Sequence, residues 1–237
     1  MHPPQQLSIG NRLLASLSAG DFASLQPHLE PISLDTRQVL IEPNTPIEHV
    51  YFPESGMSSV TNNSAGGKIE VGVVGREGIV GLSIVLGVDR TPYEFFMQMP
   101  GHGWRIAAHD LERAMVQSPS LHRQLLRYVQ AAHIQASETA FANANSDVEA
   151  RLARWLLMCH DRVGGDDIPL THEFIAIMLG VRRPGVTVAL HVLEGMHVIR
   201  AKRGVITVLA REKLEELAHD AYGLSEAEYT RLIGREP

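Results

Sequence analysis

Two adjacent arginines, Arg182 and Arg183, stand directly before Pro184 and Gly185 and give the clearest chemical signal in the sequence. A guanidinium group presents its N–H donors in a planar fork, which matches phosphate oxygens and the acceptor edge of guanine. Proline fits the first turn of a helix, where its missing N–H would have had no partner, so Pro184 is expected to begin a helix. Gly185 has no side chain, and we expect accessible backbone N–H groups beside it. The stretch therefore predicts a site for a phosphodiester backbone or a base edge.

The charge distribution indicates that a contact with an anion is confined to this part of the chain. The 237 residues carry 21 Lys and Arg against 27 Asp and Glu, and the formal net charge of −6 argues against uniform nucleic-acid binding. Residues 170–210, in contrast, hold five basic and two acidic side chains, whereas the segments on either side are net negative. Asymmetry of this kind is typical of a local anion contact.

Two short helices are predicted on either side of a tight turn at Gly180 and Val181. Thr171 can cap the first helix, and Pro184 starts the second helix, which is expected to continue to Gly195. Two short helices joined by a Gly-containing turn are typical of a helix-turn-helix motif. Such motifs also occur in protein–protein modules, in which case the arginine pair is only a solvated face.

A basic β-hairpin is predicted directly after the second helix. Val198 and Ile199 form its first strand, residues 205–208 form its second strand, and Lys202 and Arg203 lie at the tip, where they can touch phosphate. Together with the two helices this hairpin predicts a winged helix-turn-helix. The residues predicted to contact DNA are Thr171, His172, Arg182, Arg183, Gly185, Val186, Thr187, His191, Lys202 and Arg203.

The segment from about residue 36 to residue 108 must form a different kind of structure. It contains short runs of β-branched and aromatic residues separated by Gly, Pro and Asn, which favours a compact β-barrel or jelly-roll. In the run GKIEVGVVG, Ile69 and Val71 alternate with Glu70 and Gly72, so one face of the strand is expected to be buried. Short helices are predicted over residues 8–30, with Asp21 as a helix N-cap.

A long helix is predicted between these two parts, because about 25 residues after Pro119 contain neither Gly nor Pro. A second copy of this helix can cover its inward stripe, since small residues allow close approach; the alternative is packing on its own β-domain. The next helix begins at Ser146 or Asp147, with Trp155 in the core and Cys159 as a buried hydrophobe. The predicted stripe consists of Leu121, Leu125, Tyr128, Val129, Ala132, Ala136 and Ala140.

The sequence therefore predicts an α+β protein with an N-terminal β-roll over residues 1–118, a dimerisation helix over 119–146 and a winged helix-turn-helix over 147–237. No secretory signal or membrane helix is expected, and a single cysteine excludes an internal disulfide framework, so a cytoplasmic location fits best. An enzyme is not expected, because no catalytic constellation stands out. The rival from a different class is a metal-binding, cupin-like enzyme with an accessory helical domain, but PGHGW offers one histidine where a cupin site wants two and a carboxylate. No metal ligand or cofactor is identified.

The runs DVEARLARWLL and LTHEFIAIMLGVRRPGVTVALHVLEG, followed by the basic hairpin, resemble the Crp/Fnr superfamily of bacterial transcription regulators. The resemblance covers nearly the whole chain and implies a β-roll like the cyclic-nucleotide-binding domain. It also implies a homodimer whose recognition helices enter successive major grooves about 34 Å apart. An effector in the β-roll is then expected to reorient these helices. The implied partners are double-stranded DNA, a second copy of the chain and RNA polymerase.

Two departures from the pattern of this superfamily affect the expected ligands. Pro184 stands where a base-reading glutamate is usual, so base readout is expected to rest on Arg182, Arg183, Thr187 and His191. In the β-roll the superfamily's ribose-gripping glutamate is missing, whereas an Arg-Thr pair matches its phosphate-gripping part. Binding of cyclic AMP in the usual way is therefore not expected, which leaves a different small-molecule effector or none; a cyclic-nucleotide-responsive regulator is the alternative. The residues assigned to this effector pocket are Gly81, Leu82, Ser83, Arg90 and Thr91.

Overall fold

The computed structural model describes residues 4–64 and 67–234. Its α-helices are α1 Arg12–Ala15, α2 Ala19–Leu25, α3 Leu82–Val85, α4 Ala108–Gln117, α5 Pro119–Asn145, α6 Val148–His160, α7 His172–Leu179, α8 Arg183–Gly195, α9 Arg211–Ala218 and α10 Leu224–Ile233. Its strands are β1 Glu30–Leu34, β2 Val39–Ile41, β3 His49–Pro53, β4 Met57–Ser64, β5 Gly67–Val74, β6 Glu94–Met99, β7 Gly101–Ala107, β8 Asp167–Ile168, β9 Ile199–Lys202 and β10 Val205–Val208.

The N-terminal strands form the two antiparallel sheets of a β-roll. One sheet has the order β1-β7-β3 and the other has the order β2-β6-β4-β5. Apolar side chains from both sheets meet in a core with α1, α2, α4 and the first part of α5. The predicted α+β class, with a β-domain, a long helix and a C-terminal helix-turn-helix, is thus confirmed.

Side-chain caps fix the short N-terminal helices, although one cap differs from the prediction. Asn11 caps α1 by accepting a hydrogen bond from the Leu14 amide at 3.0 Å. Ser18, and not Asp21, caps α2, because the Ser18 hydroxyl accepts from the Asp21 amide at 3.1 Å. Asp21 lies in the first turn of α2, where its buried carboxylate accepts hydrogen bonds from hydroxyl groups, among them that of Ser120 at 2.9 Å.

The first half of α5 packs on the β-roll of its own chain, which corrects the predicted inward stripe. Leu121, Leu125 and Tyr128 are fully or almost fully buried in the N-terminal core. They are unavailable to a second copy because the β-roll already covers them. Ala136 and Ala140 of the predicted stripe, together with Val129 and Ala132, keep part of their surface accessible. The surface of α5 that the β-roll leaves accessible therefore lies on the side of these residues.

The C-terminal domain has its own core between α6, α7, α8, α9 and a small sheet of order β8-β10-β9. Asp147 caps α6 by accepting from the Ala150 amide at 2.8 Å, as one of the two predicted alternatives. Trp155 and Cys159 are buried in this core, as predicted. The long apolar face of α6 thus holds the helix-turn-helix and the hairpin in one unit.

The last helix, α10, packs away from the domain to which the sequence analysis assigned it. Ile233 lies in the N-terminal core, and its carbonyl accepts a hydrogen bond from the Gln124 amide group on α5 at 3.2 Å. Tyr229 donates its hydroxyl to the carbonyl of Glu77 at 2.8 Å. Residues 224–233, which were predicted to belong to the C-terminal domain, therefore connect the end of the chain to α5 and the β-roll.

Among the residues that the structure describes, no single helix combines the length and apolar composition that a membrane crossing requires. The pair α7 and α8 meets this test only when taken together, and the two helices are bent by 102° at the break between them.

Candidate nucleic-acid interface

Helices α7 and α8 form the predicted helix-turn-helix. Thr171 caps α7, with its hydroxyl accepting from the Phe174 amide at 3.3 Å. Gly180 ends α7 with φ +60°, a left-handed conformation that glycine adopts without the steric cost of a side chain. The bend of 102° between the helices is typical of this motif. Their facing apolar side chains are buried and fix the angle: Ile175, Met178, Leu179, Val186, Ala189, Leu190 and Leu193.

The exposed start of α8 carries the arginine pair. Arg182 occupies the N-cap position, Arg183 is the first helical residue, and Pro184 follows in the first turn, as predicted. Both arginines are exposed, and neither forms an ion pair with any of the carboxylates in the described ranges. Their guanidinium groups are therefore free to bind an external anion or a base edge.

The backbone at this helix start is less open than the sequence predicted. The amide of Gly185 donates to the carbonyl of Arg182 at 2.9 Å, and the amide of Val186 contacts the same carbonyl at 3.4 Å. Pro184 has no N–H and the amides of Gly185 and Val186 are engaged, whereas the amide of Arg183 has no backbone partner among the described residues. Val186 is fully buried in the domain core, so the prediction that its side chain contacts DNA is wrong. The two guanidinium groups are therefore the exposed charged donors at this end of α8.

The next turns of α8 present a mixed polar and apolar surface. His191 is exposed, and Val188 has an exposed fraction of 59%. Thr187 is partly exposed, and its hydroxyl donates to the carbonyl of Arg183 at 3.2 Å. The same hydroxyl lies 3.5 Å from Nδ1 of His172 on α7, so this pair joins the two helices near their exposed ends.

The basic hairpin follows α8 as predicted. Strands β9 and β10 pair antiparallel, and Gly204 turns the chain between them with φ +78°. Lys202 and Arg203 are exposed at this tip. Glu194 on α8 accepts a hydrogen bond from the Ala201 amide at 2.7 Å, which fixes the hairpin against the recognition helix. The C-terminal domain thus carries two exposed groups of basic side chains, one at the start of α8 and one at the tip of the hairpin.

The residues assigned to the effector pocket lie at the start of α3 and in the loop between α3 and β6. Leu82 lines a cleft between the β-roll and α5, whereas Gly81 and Ser83 precede and continue the short helix α3. Arg90 is exposed and forms two hydrogen bonds with its neighbour Asp89, at 3.0 and 2.9 Å. Thr91 is buried, and its hydroxyl accepts from the Tyr93 amide. Leu82 is the one member of this set that lines the cleft, and the assignment remains a prediction.

Sequence reasoning missed a polar contact between the two domains. Glu70 on β5 is buried, although the alternating pattern placed it on an exposed face. Its Oε1 accepts a hydrogen bond from the indole N–H of Trp155 on α6 at 3.0 Å. Burial raises the pKa of this carboxyl to about 8. The sign of this contact in the sequence is a charged residue within an apolar strand. The helix that covers it comes from the other domain, so the pattern of the strand alone does not predict the contact.

Helix α7 also contacts the β-roll directly. Phe174 stacks on Phe96 of β6, with ring centroids 6.3 Å apart. The hydroxyl of Ser59 lies 3.8 Å from the sulfur of Met178. One face of α7 thus rests on the β-roll, while Arg182 and Arg183 at the start of α8 remain exposed.

A β-roll connected by a long helix to a winged helix-turn-helix defines a class, the two-domain DNA-binding regulators. Two family models identify the parts: the cyclic nucleotide-binding domain matches residues 31–118, and the Crp-like helix-turn-helix domain matches residues 150–217. The chain belongs to the Crp/Fnr superfamily of transcription regulators, as its sequence motifs predicted. No curated protein matches the sequence significantly.

Solved structures of this superfamily share the fold at low sequence identity. FixK2 from Bradyrhizobium japonicum is 16% identical with a TM-score of 0.71, over 82% of this chain and 99% of that one. A CRP family transcriptional regulator from Thermus thermophilus is 18% identical with a TM-score of 0.66, over 80% and 96% of the two chains. The c-di-GMP responsive global regulator CLP of Xanthomonas campestris is 17% identical with a TM-score of 0.64, over 81% and 99%.

Proposed function

We propose that the protein is a homodimeric regulator that binds double-stranded DNA in a sequence-specific manner and controls transcription together with RNA polymerase. The observation that carries this proposal is the exposed pair Arg182 and Arg183 at the start of α8, without carboxylate partners in the described ranges. An arginine at the start of a recognition helix can bind the O6 and N7 atoms of guanine with two hydrogen bonds. Thr187 and His191 complete the base-reading set that we propose.

The hairpin and the start of α7 supply the contacts that position this helix on the duplex. Lys202 and Arg203 are expected to bind phosphates, which adds affinity without selecting a sequence. Thr171 and His172 lie at the N-terminus of α7, where the positive end of the helix dipole favours a phosphate. Gly185 contributes by leaving room for the backbone to approach.

The exposed face of α5 is the surface that we propose for dimerisation. Leu126, Val129, His133, Ala136 and Ala140 follow one another at alternating intervals of three and four residues, which is the spacing of a coiled-coil seam. Leu126 has an exposed fraction of 40%, although it is a large apolar residue. A second copy of α5 would cover the part of this face that the β-roll leaves accessible, since Val129 also packs against the N-terminal core.

The dimer is tested by analytical ultracentrifugation of an α5 variant. Ala136→Glu places a carboxylate in the seam, and we expect the dimer to weaken by roughly 2 kcal/mol or more, because like charges would meet across the two-fold axis. Asn145→Glu adds the same charge elsewhere on the helix surface and should leave the dimer intact. An unchanged sedimentation coefficient for Ala136→Glu would show that this face is not the interface.

Selection of bound duplexes from a random pool tests the DNA-binding proposal itself. We expect a symmetric operator whose half-sites are centred about 34 Å apart, because two recognition helices related by a two-fold axis read successive major grooves. Running the selection with and without a cell metabolite extract shows whether an effector changes the outcome. Recovery of no common sequence would contradict sequence-specific recognition.

A cyclic-nucleotide-responsive regulator is the second candidate, and the match of residues 31–118 to the cyclic nucleotide-binding domain favours it. Against it, Arg90 already pairs with Asp89 at the surface, and Leu82 stands in place of a ribose-binding carboxylate. A ribose hydroxyl without its partner costs about 1–3 kcal/mol. Calorimetric titration with cyclic AMP and cyclic GMP decides between the candidates, since micromolar binding would favour the second.

A further inference from the structure

The exposed face of α8 carries a large apolar side chain, Val188. Pro184, Val188 and His191 are exposed and follow one another at intervals of four and three residues, so they share one face of the helix. The exposed fraction of Val188 is 59%, the highest of any large apolar side chain in the described part of residues 147–234. Its neighbours Ala189 and Leu190 are buried in the domain core. Val188 therefore does not serve this core and faces whatever α8 binds.

The position of Val188 relative to the arginine pair places it over a base pair. Arg183 is the first residue of α8, and Val188 follows five residues later, about 7.5 Å further along the helix axis. Successive base pairs are about 3.4 Å apart along the duplex. When α8 lies along a major groove with Arg183 at one base pair, Val188 thus reaches the edge of a base pair about two steps away.

The polar groups nearest to Val188 on α8 are already engaged within the domain. The hydroxyl of Thr187 donates its proton to the carbonyl of Arg183 at 3.2 Å. The acidic residue of α8 is Glu194, and its Oε1 accepts from the Ala201 amide of the hairpin at 2.7 Å. The carboxylate of α8 is therefore directed toward the hairpin and not toward the face of Val188.

A valine in the major groove can be satisfied by one chemical group of the bases. Its side chain has neither a donor nor an acceptor, and the apolar group that this groove presents is the C5 methyl of thymine. Two apolar groups in contact are both removed from water, which is favourable. A G·C pair at the same place would bring an amino group or a carbonyl oxygen against the valine, where it loses water without gaining a hydrogen bond.

We propose that Val188 is a specificity-determining residue that selects a thymine in each half-site of the operator through the C5 methyl group. This inference rests on the proposed function, because it requires that α8 enters the major groove of a specific duplex. It adds a second kind of readout to that function: Arg183 binds guanine through hydrogen bonds, whereas Val188 contacts a methyl group. The operator should therefore contain a guanine and a thymine about two base pairs apart in each half-site.

Replacement of thymine by deoxyuridine tests this contact, because it deletes the methyl group and keeps every hydrogen-bonding group of the base pair. Each thymine position of the selected operator is replaced in turn, in both half-sites together, and the affinity is measured by fluorescence anisotropy. We expect one of these replacements to weaken the binding of wild type about fourfold per half-site, which is the effect of one buried methyl group.

Val188→Ala provides the protein side of the same comparison. It removes two methyl groups from an exposed helical position, and circular dichroism checks that the variant keeps its fold. We expect it to bind the thymine operator at least about fourfold more weakly than wild type and to bind the thymine and deoxyuridine operators equally. Val116→Ala is the matched control, because Val116 on α4 is also an exposed valine, with an exposed fraction of 84%. It should respond to deoxyuridine as wild type does.

The outcomes separate a failure of this inference from a failure of the proposed function. Equal affinity of wild type for the thymine operator and for every deoxyuridine operator would overturn the role of Val188. The same follows if Val188→Ala still loses affinity on deoxyuridine replacement as wild type does. A selected operator without thymine in its half-sites would also overturn it, although sequence-specific binding would stand. Recovery of no common sequence, in contrast, would contradict the proposed function itself.

Discussion

The two arginine-rich regions of this molecule use the same side chain in opposite ways. Between the domains, Arg162 is almost fully buried, pairs with Glu77 and also donates to the carbonyl of Met158 at 2.6 Å. At the start of α8, Arg182 and Arg183 are exposed and have no carboxylate partner in the described ranges. A buried charge must be paired to be tolerated, whereas an exposed charge is satisfied by water and remains available. Charge alone therefore does not distinguish the two regions; burial and a carboxylate partner do.

The largest expected effect concerns the buried pair. Arg162→Met removes the cation that forms an ion pair with Glu77, so a carboxylate is left buried without this partner. We expect the free energy of unfolding to fall by about 3–5 kcal/mol. Urea unfolding followed by tryptophan fluorescence measures this change, because Trp155 lies in the same domain interface.

A surface pair of similar geometry provides the comparison for Arg162. Arg105 lies 2.8 Å from Glu30, but both side chains are substantially exposed. Arg105→Met should cost less than about 1 kcal/mol, since exposed ion pairs contribute little. Equal losses for the two variants would contradict the distinction between buried and exposed arginines.

The second effect is a pH dependence that originates at Glu70. Burial raises the pKa of its carboxyl from an ordinary 4.5 to about 8. Between these two values the folded protein keeps a proton that the unfolded chain has lost, so stability is highest below the lower value and decreases as the pH rises. The decrease should be on the order of 1 kcal/mol per pH unit within that window, and it should level off above it.

Glu70→Gln isolates this contribution because the amide keeps the shape and the acceptor for the Trp155 indole but does not ionise. Urea unfolding from pH 5 to pH 9 should give a flatter profile for the variant, with a gain in stability at the alkaline end. A variant that follows the wild-type profile throughout would place the pH dependence elsewhere.

The smallest effect is expected at the hairpin tip. Lys202→Ala removes one proposed phosphate contact, so affinity for all duplexes should fall by a similar factor and the slope of log K against log salt should decrease by about 0.9. Fluorescence anisotropy at several salt concentrations measures the slope. A loss restricted to one sequence would assign Lys202 to base recognition instead.

The local elements could be predicted from the sequence because their signals are local. Thr171 caps α7, Gly180 adopts the left-handed conformation after it, and Pro184 lies in the first turn of α8. Each of these residues acts on its own backbone or on a neighbour within four positions. The helix-turn-helix and the arginine pair were therefore predictable from residue types and spacing alone.

The features that could not be predicted from the sequence depend on which helix or strand packs against which other element. Glu70 is buried because α6 of the other domain places Trp155 over it. Leu121 and Tyr128 pack in the core of the β-roll of the same chain, and their spacing along α5 does not say which surface covers them. The amide of Gly185 donates a hydrogen bond to the carbonyl of Arg182, so it is not free, and residue types alone do not show this bond. Periodicity shows that a face is apolar but does not identify its partner.

Operator affinity of an arginine variant tests the central claim most directly. Anisotropy titrations should compare wild type, Arg183→Ala and the control Arg113→Ala on the selected operator and on a duplex of scrambled sequence. We expect Arg183→Ala to lose about 1–3 kcal/mol on the operator, with selectivity relaxed at one base pair of each half-site, while the control is unchanged. If Arg183→Ala distinguishes operator from scrambled duplex as well as wild type does, the exposed arginine does not read DNA and the account is contradicted.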